Sequence, residues 1–280
     1  MEAPTDEYRK MGCAEMPLAL ENETYLLRQC FFDVQNEVGT GRQEEAYHRA
    51  CEIWFRNRNL PVLSRGPHSL LLKSEEVIRL FPDFVGWDSI VVELKSVPRR
   101  LNRSEFVQLF DYLKCRGNRV GLLVNMGLER VEIERIVHDP LPATCLEKWD
   151  TWSNRIQSPD RDIGLAIRKA FHSVYEEHTT GYGSEITQKL VHKALLLEGL
   201  NVVLNPIAKS FYHGIEVDES PLECLLVEKR IVLTLSALFD SILFAESRCR
   251  SFLDALGLTW GIAADFGKTQ AEIVGVRSGV

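Results

Sequence analysis

The sequence contains no run of about eighteen uncharged apolar residues, so no helix of membrane-spanning type is expected. Its 7 cysteines are odd in number and form no C-x-x-C pair, which argues against a disulfide framework or a zinc ribbon. The opening stretch, MEAPTDEYRK, has no apolar core of the secretory kind. A cytoplasmic protein without a leader is therefore expected. No G-x-S-x-G occurs for a hydrolase triad. His48 and Cys51 share a helical face, but no second ligand pair accompanies them, so a zinc site is not expected. Gly267-Lys268-Thr269 hints at a phosphate loop, but Gly261 lies one residue too far upstream for that motif. Basic excess is missing too: 33 Lys and Arg against 40 Asp and Glu give a net charge of −7. That excludes a general nucleic-acid coat protein and leaves a local basic face open.

The chain has 280 residues, 45% apolar and 26% charged, enough for one large domain or two small ones. Residues 1–22 read as a polar arm. Helical spacing of Leu27, Phe31, Val34 and Val38 predicts a helix over Tyr25–Val38, ended by Gly39-Thr40-Gly41. A second helix is predicted over Gln43–Arg58. Extended pieces follow at Pro61–Ser64 and Ser69–Leu72. Strands are then predicted over Val77–Val85 and Ser89–Val97, turning at Gly86-Trp87-Asp88. A helix over Ser104–Cys115 and a buried strand over Arg119–Asn125 complete the set.

Residues 141–161 read as a linker, after which the same order begins again. Shifting the chain by 140 lays Gly41 on Gly181, Gly121 on Gly261 and Gly127 on Gly267. Shifting by 141 lays VVELKSV on VLTLSAL. A period that long points to a duplicated domain rather than a solenoid. The expected organisation is thus a domain over 23–140 and a second copy over 162–280.

Charged residues interrupt the apolar strands of the first copy. Asp83 follows Pro82, and Glu93 and Lys95 stand two apart in Val92-Glu93-Leu94-Lys95, on one face of a strand. A surface ion pair is the bland reading of Glu93 and Lys95. Two carboxylates on adjacent strands are also hard ligands suited to Mg²⁺, and a neighbouring lysine can orient water and stabilise charge on a phosphate. Glu44, three residues before Tyr47, shares the inward stripe of its helix, where a carboxylate needs a partner. Its bland role, answering the helix dipole, suits Glu45 better. Gln108 and Tyr112 stand i,i+4 on the next helix. Arg99, Arg100, Arg103, Lys114, Arg116 and Arg119 flank the candidate site as candidate phosphate contacts.

These residues carry a resemblance. Gly41-Arg42-Gln43-Glu44-Glu45-Ala46-Tyr47 is similar to the G-x-x-E-x-x-Y signature of the GxxExxY protein family, whose members resemble the RecB-like side of the PD-(D/E)xK nuclease superfamily. The likeness runs over about residues 24–138 and includes Pro82-Asp83, Glu93-Leu94-Lys95, Gln108-x-x-x-Tyr112 and VGLLVN. It implies an α/β fold of two tandem restriction-endonuclease-like domains, each a central mixed sheet flanked by helices. It also implies that Asp83, Glu93 and the Leu94 carbonyl hold Mg²⁺ or Mn²⁺, with Glu44 completing the shell. Lys95 would assist the water, and Gln108 and Tyr112 would orient the site. The expected activity is nucleic-acid hydrolysis, with DNA preferred over RNA. The competing class is a non-catalytic module that keeps the fold for binding nucleic acid or protein.

In the shifted register every site residue of the first copy is lost from the second. Glu44 becomes Ser184, Tyr47 Thr187, Asp83 Cys224, Glu93 Thr234, Lys95 Ser236, Gln108 Arg248 and Tyr112 Phe252. The second copy is expected to be a pseudo-nuclease whose old site has become core or interface, around Leu233–Leu235 and Leu238–Phe244. It would pack on the first as a pseudo-dimer, or bind another protein or nucleic acid.

Overall fold

The computed structural model describes residues 20–149, 156–239 and 241–278. Most of the expected arm, part of the linker (150–155) and Asp240 within Leu238–Phe244 lie outside the described residues. In chain order the elements are α1 (Glu21–Val38), α2 (Glu44–Asn57), β1 (Val62–Ser64), β2 (His68–Leu72), β3 (Glu75–Leu80), β4 (Phe84–Gly86), β5 (Ile90–Lys95), α3 (Arg103–Arg116), β6 (Val120–Asn125), β7 (Glu132–Val137) and β8 (Thr144–Lys148). There follow α4 (Asp160–His178), α5 (Ser184–Leu197), β9 (Val202–Leu204), β10 (Ile207–Tyr212), β11 (Ile215–Pro221), β12 (Leu225–Val227), β13 (Ile231–Ala237), α6 (Leu243–Leu256), β14 (Trp260–Phe266) and β15 (Gln270–Arg277). The fold is α/β, with mixed sheets flanked by helices. No helix among the described residues is long and apolar enough to cross a membrane.

The expected strand Val77–Val85 divides into β3 and β4. Pro82 has no N–H to give a ladder. The Asp83 carbonyl accepts from the Arg65 N–H at 2.9 Å instead of pairing along the strand. The long apolar run Leu225–Leu238 likewise divides, into β12 and β13, because Glu228 and Lys229 both take left-handed φ (+51° and +54°) and reverse the chain. Trp87 and Asp88 do the same between β4 and β5. The segment read as a linker contributes β8, which pairs parallel to β15.

The chain forms two compact units that do not follow its sequence halves. The first comprises Met1–Arg65, Asp83–Leu101 and Asn118–Val137; the second comprises Gly66–Pro82, Asn102–Gly117 and His138–Val280. The first unit holds a five-stranded sheet of order β1-β4-β5-β6-β7, in which only β5 and β6 are parallel. Leu27 and Phe31 of α1 and Tyr47 and Cys51 of α2 cover it, packing with Phe84, Ile90, Val92 and Leu122. The near-continuous apolar run of β5 follows from burial on both faces.

The second unit holds a six-stranded sheet of order β8-β15-β14-β13-β12-β9. Its strands β9, β12, β13, β14 and β15 repeat the order and directions of β1, β4, β5, β6 and β7. The register repeats as well: Ile90 pairs Val120 in one sheet, and Ile231 pairs Trp260 in the other, 141 and 140 residues on. Here the β2–β3 hairpin and α3, both from the first sequence half, pack with the second. Leu70 and Leu72 join Ile167, Phe171, Leu190 and Leu233 in one buried cluster. Asp111 of α3 accepts the Gly183 N–H at 2.8 Å. A Cβ on Gly183 would lie 2.6 Å from Val107 Cγ1 and 2.9 Å from Asp111 Oδ2, so only glycine admits this approach.

Gly183→Ala should therefore destabilise the chain by about 1–3 kcal/mol in urea unfolding. Asp111 adds a pH dependence. Burial pushes its carboxyl up to about 7, the Gly183 N–H opposing. Raised above its ordinary 3.8, it stabilises the fold fully below about 3.8, a contribution lost as pH rises through about 7. Asp111→Asn keeps an acceptor for Gly183 without the charge. Its melting temperature should exceed that of wild type at pH 8 and vary less between pH 4 and pH 7.

Candidate active site

The site is assembled in the first unit from two strands and one helix. Antiparallel pairing of Phe84 with Val92 brings Asp83 beside Glu93. Asp83 Oδ2 accepts the Leu94 N–H at 2.7 Å, which fixes the carboxylate at the strand edge. Burial raises its pKa above the ordinary value, against the Leu94 N–H, His48 and Lys95.

Glu93 is 3% exposed. Its Oε1 accepts from Lys95 Nζ at 2.7 Å, as expected for residues two apart on a strand. Its Oε2 is buried and unpartnered among the described residues. Burial, then Asp83, pushes Glu93 up to about 8, with Lys95 pulling the other way. Burial alone would lower Lys95; Glu93, Glu44 and Asp83 outweigh it, so the ammonium is held above its usual value. The Glu93–Lys95 contact is therefore an interior hydrogen bond rather than a surface ion pair.

Glu44 joins the group from the first turn of α2. Burial raises its carboxyl, Lys95 opposes, Asp83 adds to the rise, and the Ser96 N–H lowers it by hydrogen bonding. The Tyr47 hydroxyl explains the spacing between Gly41, Glu44 and Tyr47. It donates to the Gly39 carbonyl at 2.7 Å and accepts the Arg42 N–H at 3.2 Å, tying down the turn that launches α2. Gly41 takes φ +78° in that turn. Ser96 Oγ donates to the Arg42 carbonyl at 2.6 Å and fastens the same turn to the end of β5. Glu45 points elsewhere and pairs with Arg49 and Arg65, the exposed helix-start role expected of it.

Two residues were not foreseen. His48 stacks on Phe84 at 4.4 Å and 15°, with Nε2 3.3 Å from the Asp83 carbonyl and 3.8 Å from Asp83 Oδ1. The signal was available: His48 follows Glu44 by one helical turn. Asn125, fully buried, accepts the Val97 and Gly127 N–H groups at 3.1 and 3.0 Å and donates to the Arg99 carbonyl at 2.8 Å. It holds the segment that leaves β5. Gly127 must be glycine there, since a Cβ would fall 2.5 Å from the Val97 nitrogen.

The remaining expected residues divide between the units. Gln108 and Tyr112 belong to the second, where Gln108 Nε2 donates to the Tyr112 hydroxyl at 3.0 Å. Arg99 and Arg100 are exposed in the first unit, whereas Arg103, Lys114 and Arg116 belong to the second. Lys114 does not face outward as a phosphate contact would. Its Nζ donates to Thr179 Oγ1 at 3.2 Å and to the Thr180 carbonyl, and lies 4.4 Å from the Tyr182 ring. Burial lowers its pKa to about 8, Asp111 opposing.

At the corresponding positions of the second unit the chemistry is neutral. Thr234 donates to the Ala245 carbonyl at 2.8 Å, Ser236 donates to Asp265 at 2.6 Å, and Cys224 is buried. Among the described residues no group of three or more His, Cys, Asp and Glu side chains is arranged to hold a metal ion.

Residues 21–136 match the family model of the PD-(D/E)XK nuclease superfamily. This first region carries a domain of the nuclease fold. A search of curated proteins finds no match. Among solved structures the chain is similar to the crystal structure of SSO0001, at 14% identity and a TM-score of 0.28, over 43% of this chain and 79% of that one.

Tyr47→Phe removes the hydroxyl that braces the Gly39–Arg42 turn. It should cost about 1–2 kcal/mol in chemical denaturation, while Glu45→Ala should cost much less.

Proposed function

We propose that the first region is a divalent-cation-dependent phosphodiesterase acting on nucleic acid, DNA in preference to RNA. The observation that carries this reading is the convergence of Asp83, Glu93 and Lys95, with Glu93 Oε2 buried and unpartnered. That donor set is hard and anionic, as Mg²⁺ or Mn²⁺ requires. Mg²⁺ takes one or two carboxylates and keeps several waters, so a dense protein cluster is not needed. Asp83, Glu93 and the Leu94 carbonyl would hold the ion, and Glu44 would complete the shell. When bound, such a cation neutralises charge building on the scissile phosphate.

The chain's own residues perform the rest. The Leu94 N–H and His48 orient Asp83. Lys95, anchored by Glu93, directs the attacking water and stabilises developing negative charge. Gln108 and Tyr112 form a hydrogen-bonded pair on α3 of the second unit, and the orienting role expected of them rests on the resemblance alone. Arg99, Arg100, Arg103 and Arg116 supply phosphate contacts.

The second copy is non-catalytic and structural, and the two copies descend from tandem duplication of a GxxExxY-type domain. The repeated strand order, register and offset support this. Pairing of the copies as a pseudo-dimer is part of the same reading. The competing reading, a binding module without catalysis, draws on the absence of a ready metal cluster among the described residues.

Incubation with single- and double-stranded DNA and RNA, with Mg²⁺ or Mn²⁺, decides between them. Wild type should cleave, and EDTA should stop it. Asp83→Ala and Lys95→Ala should each lose about 100-fold or more. His48→Gln, which disturbs the support of Asp83 and the stacking on Phe84, should lose about 10–100-fold. Silence of wild type on every substrate would favour the binding module. Equal cleavage by all variants would remove the site assignment.

A further inference from the structure

The second unit keeps a cleft where its copy of the site would be. Its volume is about 320 Å³, and Ser184, Cys224 and Ser236 line it, 140, 141 and 141 residues after Glu44, Asp83 and Lys95. Losing the acids has not filled this site with core. Leu233 is buried, but Phe239 and Phe244, also on the cleft wall, remain 54% and 55% exposed. Their ring centroids lie 6.3 Å apart at 42°.

Each ring has a guanidinium beside it. Arg103 Cζ lies 5.4 Å from the Phe239 ring, and Arg248 Cζ lies 5.4 Å from the Phe244 ring. Arg248 stands where the first copy has Gln108, an uncharged position turned cationic. It is held by Nη2 alone, which donates to the Glu223 carbonyl at 2.6 Å and carboxylate at 3.1 Å. Nη1 and Nε make no hydrogen bond among the described residues, and a guanidinium has five N–H donors in a fork suited to phosphate. Glu185 and Glu223 at the rim set a limit on the charge the cleft can attract.

We propose that this cleft binds single-stranded nucleic acid, with bases stacked on Phe239 and Phe244 and the backbone phosphate held by Arg248 and Arg103. Half-exposed rings flanked by arginines are a stacking platform with a phosphate anchor at its side. A duplex keeps its bases stacked on one another, so it cannot use the rings. Removal of three carboxylates lets a phosphate enter here without a metal ion, unlike the first site. This inference takes from the proposed function only that the substrate is nucleic acid.

The test uses the full chain and a fluorescein-labelled oligothymidylate of about 20 nucleotides in EDTA, read by anisotropy, with cleavage assayed separately in Mg²⁺. Phe239→Ala/Phe244→Ala replaces exposed side chains and should fold as wild type. It should weaken oligothymidylate binding about tenfold or more, as should Arg248→Ala. Glu45→Ala, at an exposed helix start outside both sites, should bind as wild type. Oligothymidylate binding unchanged in the double variant, no binding by wild type, or equal binding of a duplex of that length would overturn the inference. Cleavage that persists despite any of these leaves the first site's assignment standing. Binding through the two rings without any cleavage supports the inference and removes the nuclease reading instead.

Discussion

A carboxylate buried within a sheet is the constraint around which the first unit is organised. Glu93 sits in β5 between apolar neighbours that are fully buried, where an unpaired charge would be strongly destabilising. Lys95, two residues on, is the counter-ion that the strand's own geometry supplies. Asp83 and Glu44 then bring further negative charge, so one ammonium is shared among three carboxyl groups. Burial raises all three carboxyls, and neighbouring carboxylates add to the rise at Glu93 and Glu44. The Glu93 Oε2 atom is left buried without a hydrogen-bond partner among the described residues.

The supports around this charge are local and redundant. Tyr47, Gly41 and Ser96 tie the start of α2 to the end of β5, and Asn125 and Gly127 tie the chain beyond β5 to β6. Several belonged to motifs readable in the sequence. Pro82-Asp83, Glu93-Leu94-Lys95 and the spacing of Gly41, Glu44 and Tyr47 were visible because charge in a strand and glycine at a turn are local signals. His48 was visible only as a lone histidine; its value depends on Phe84 and Asp83, which reach it through tertiary contact. Strands β7, β10, β11 and β15 were not foreseen. β10 and β11 alternate poorly, and β15 is stabilised by its neighbours more than by its own pattern. The affiliation of α3 was invisible for a different reason. Periodicity tells which face of a helix is buried and says nothing of which part of the chain buries it.

The two sheets show how differently a fold and a site are constrained. Strand order, direction and register persist at an offset of 140 to 141 residues, because each depends on apolar contacts that many side chains satisfy. The charged set depends on particular atoms, and in the second sheet neutral residues stand in its place. Serine and threonine there satisfy their hydroxyls on nearby acceptors, Thr234 on the Ala245 carbonyl and Ser236 on the buried Asp265 carboxylate.

The interleaving of the two units bears on how the protein comes into being. Residues 66–82 and 102–117 leave the first unit mid-chain and find their packing partners beyond residue 138. As synthesis proceeds, the leading half can close its own sheet, yet Leu70 and Leu72 stay in water until α4 and α5 have emerged. Native order in the hairpin and in α3 is thus postponed to the end of translation. A fragment cut at the sequence midpoint would present those leucines and the Asp111 face of α3 to solvent, inviting association between fragments.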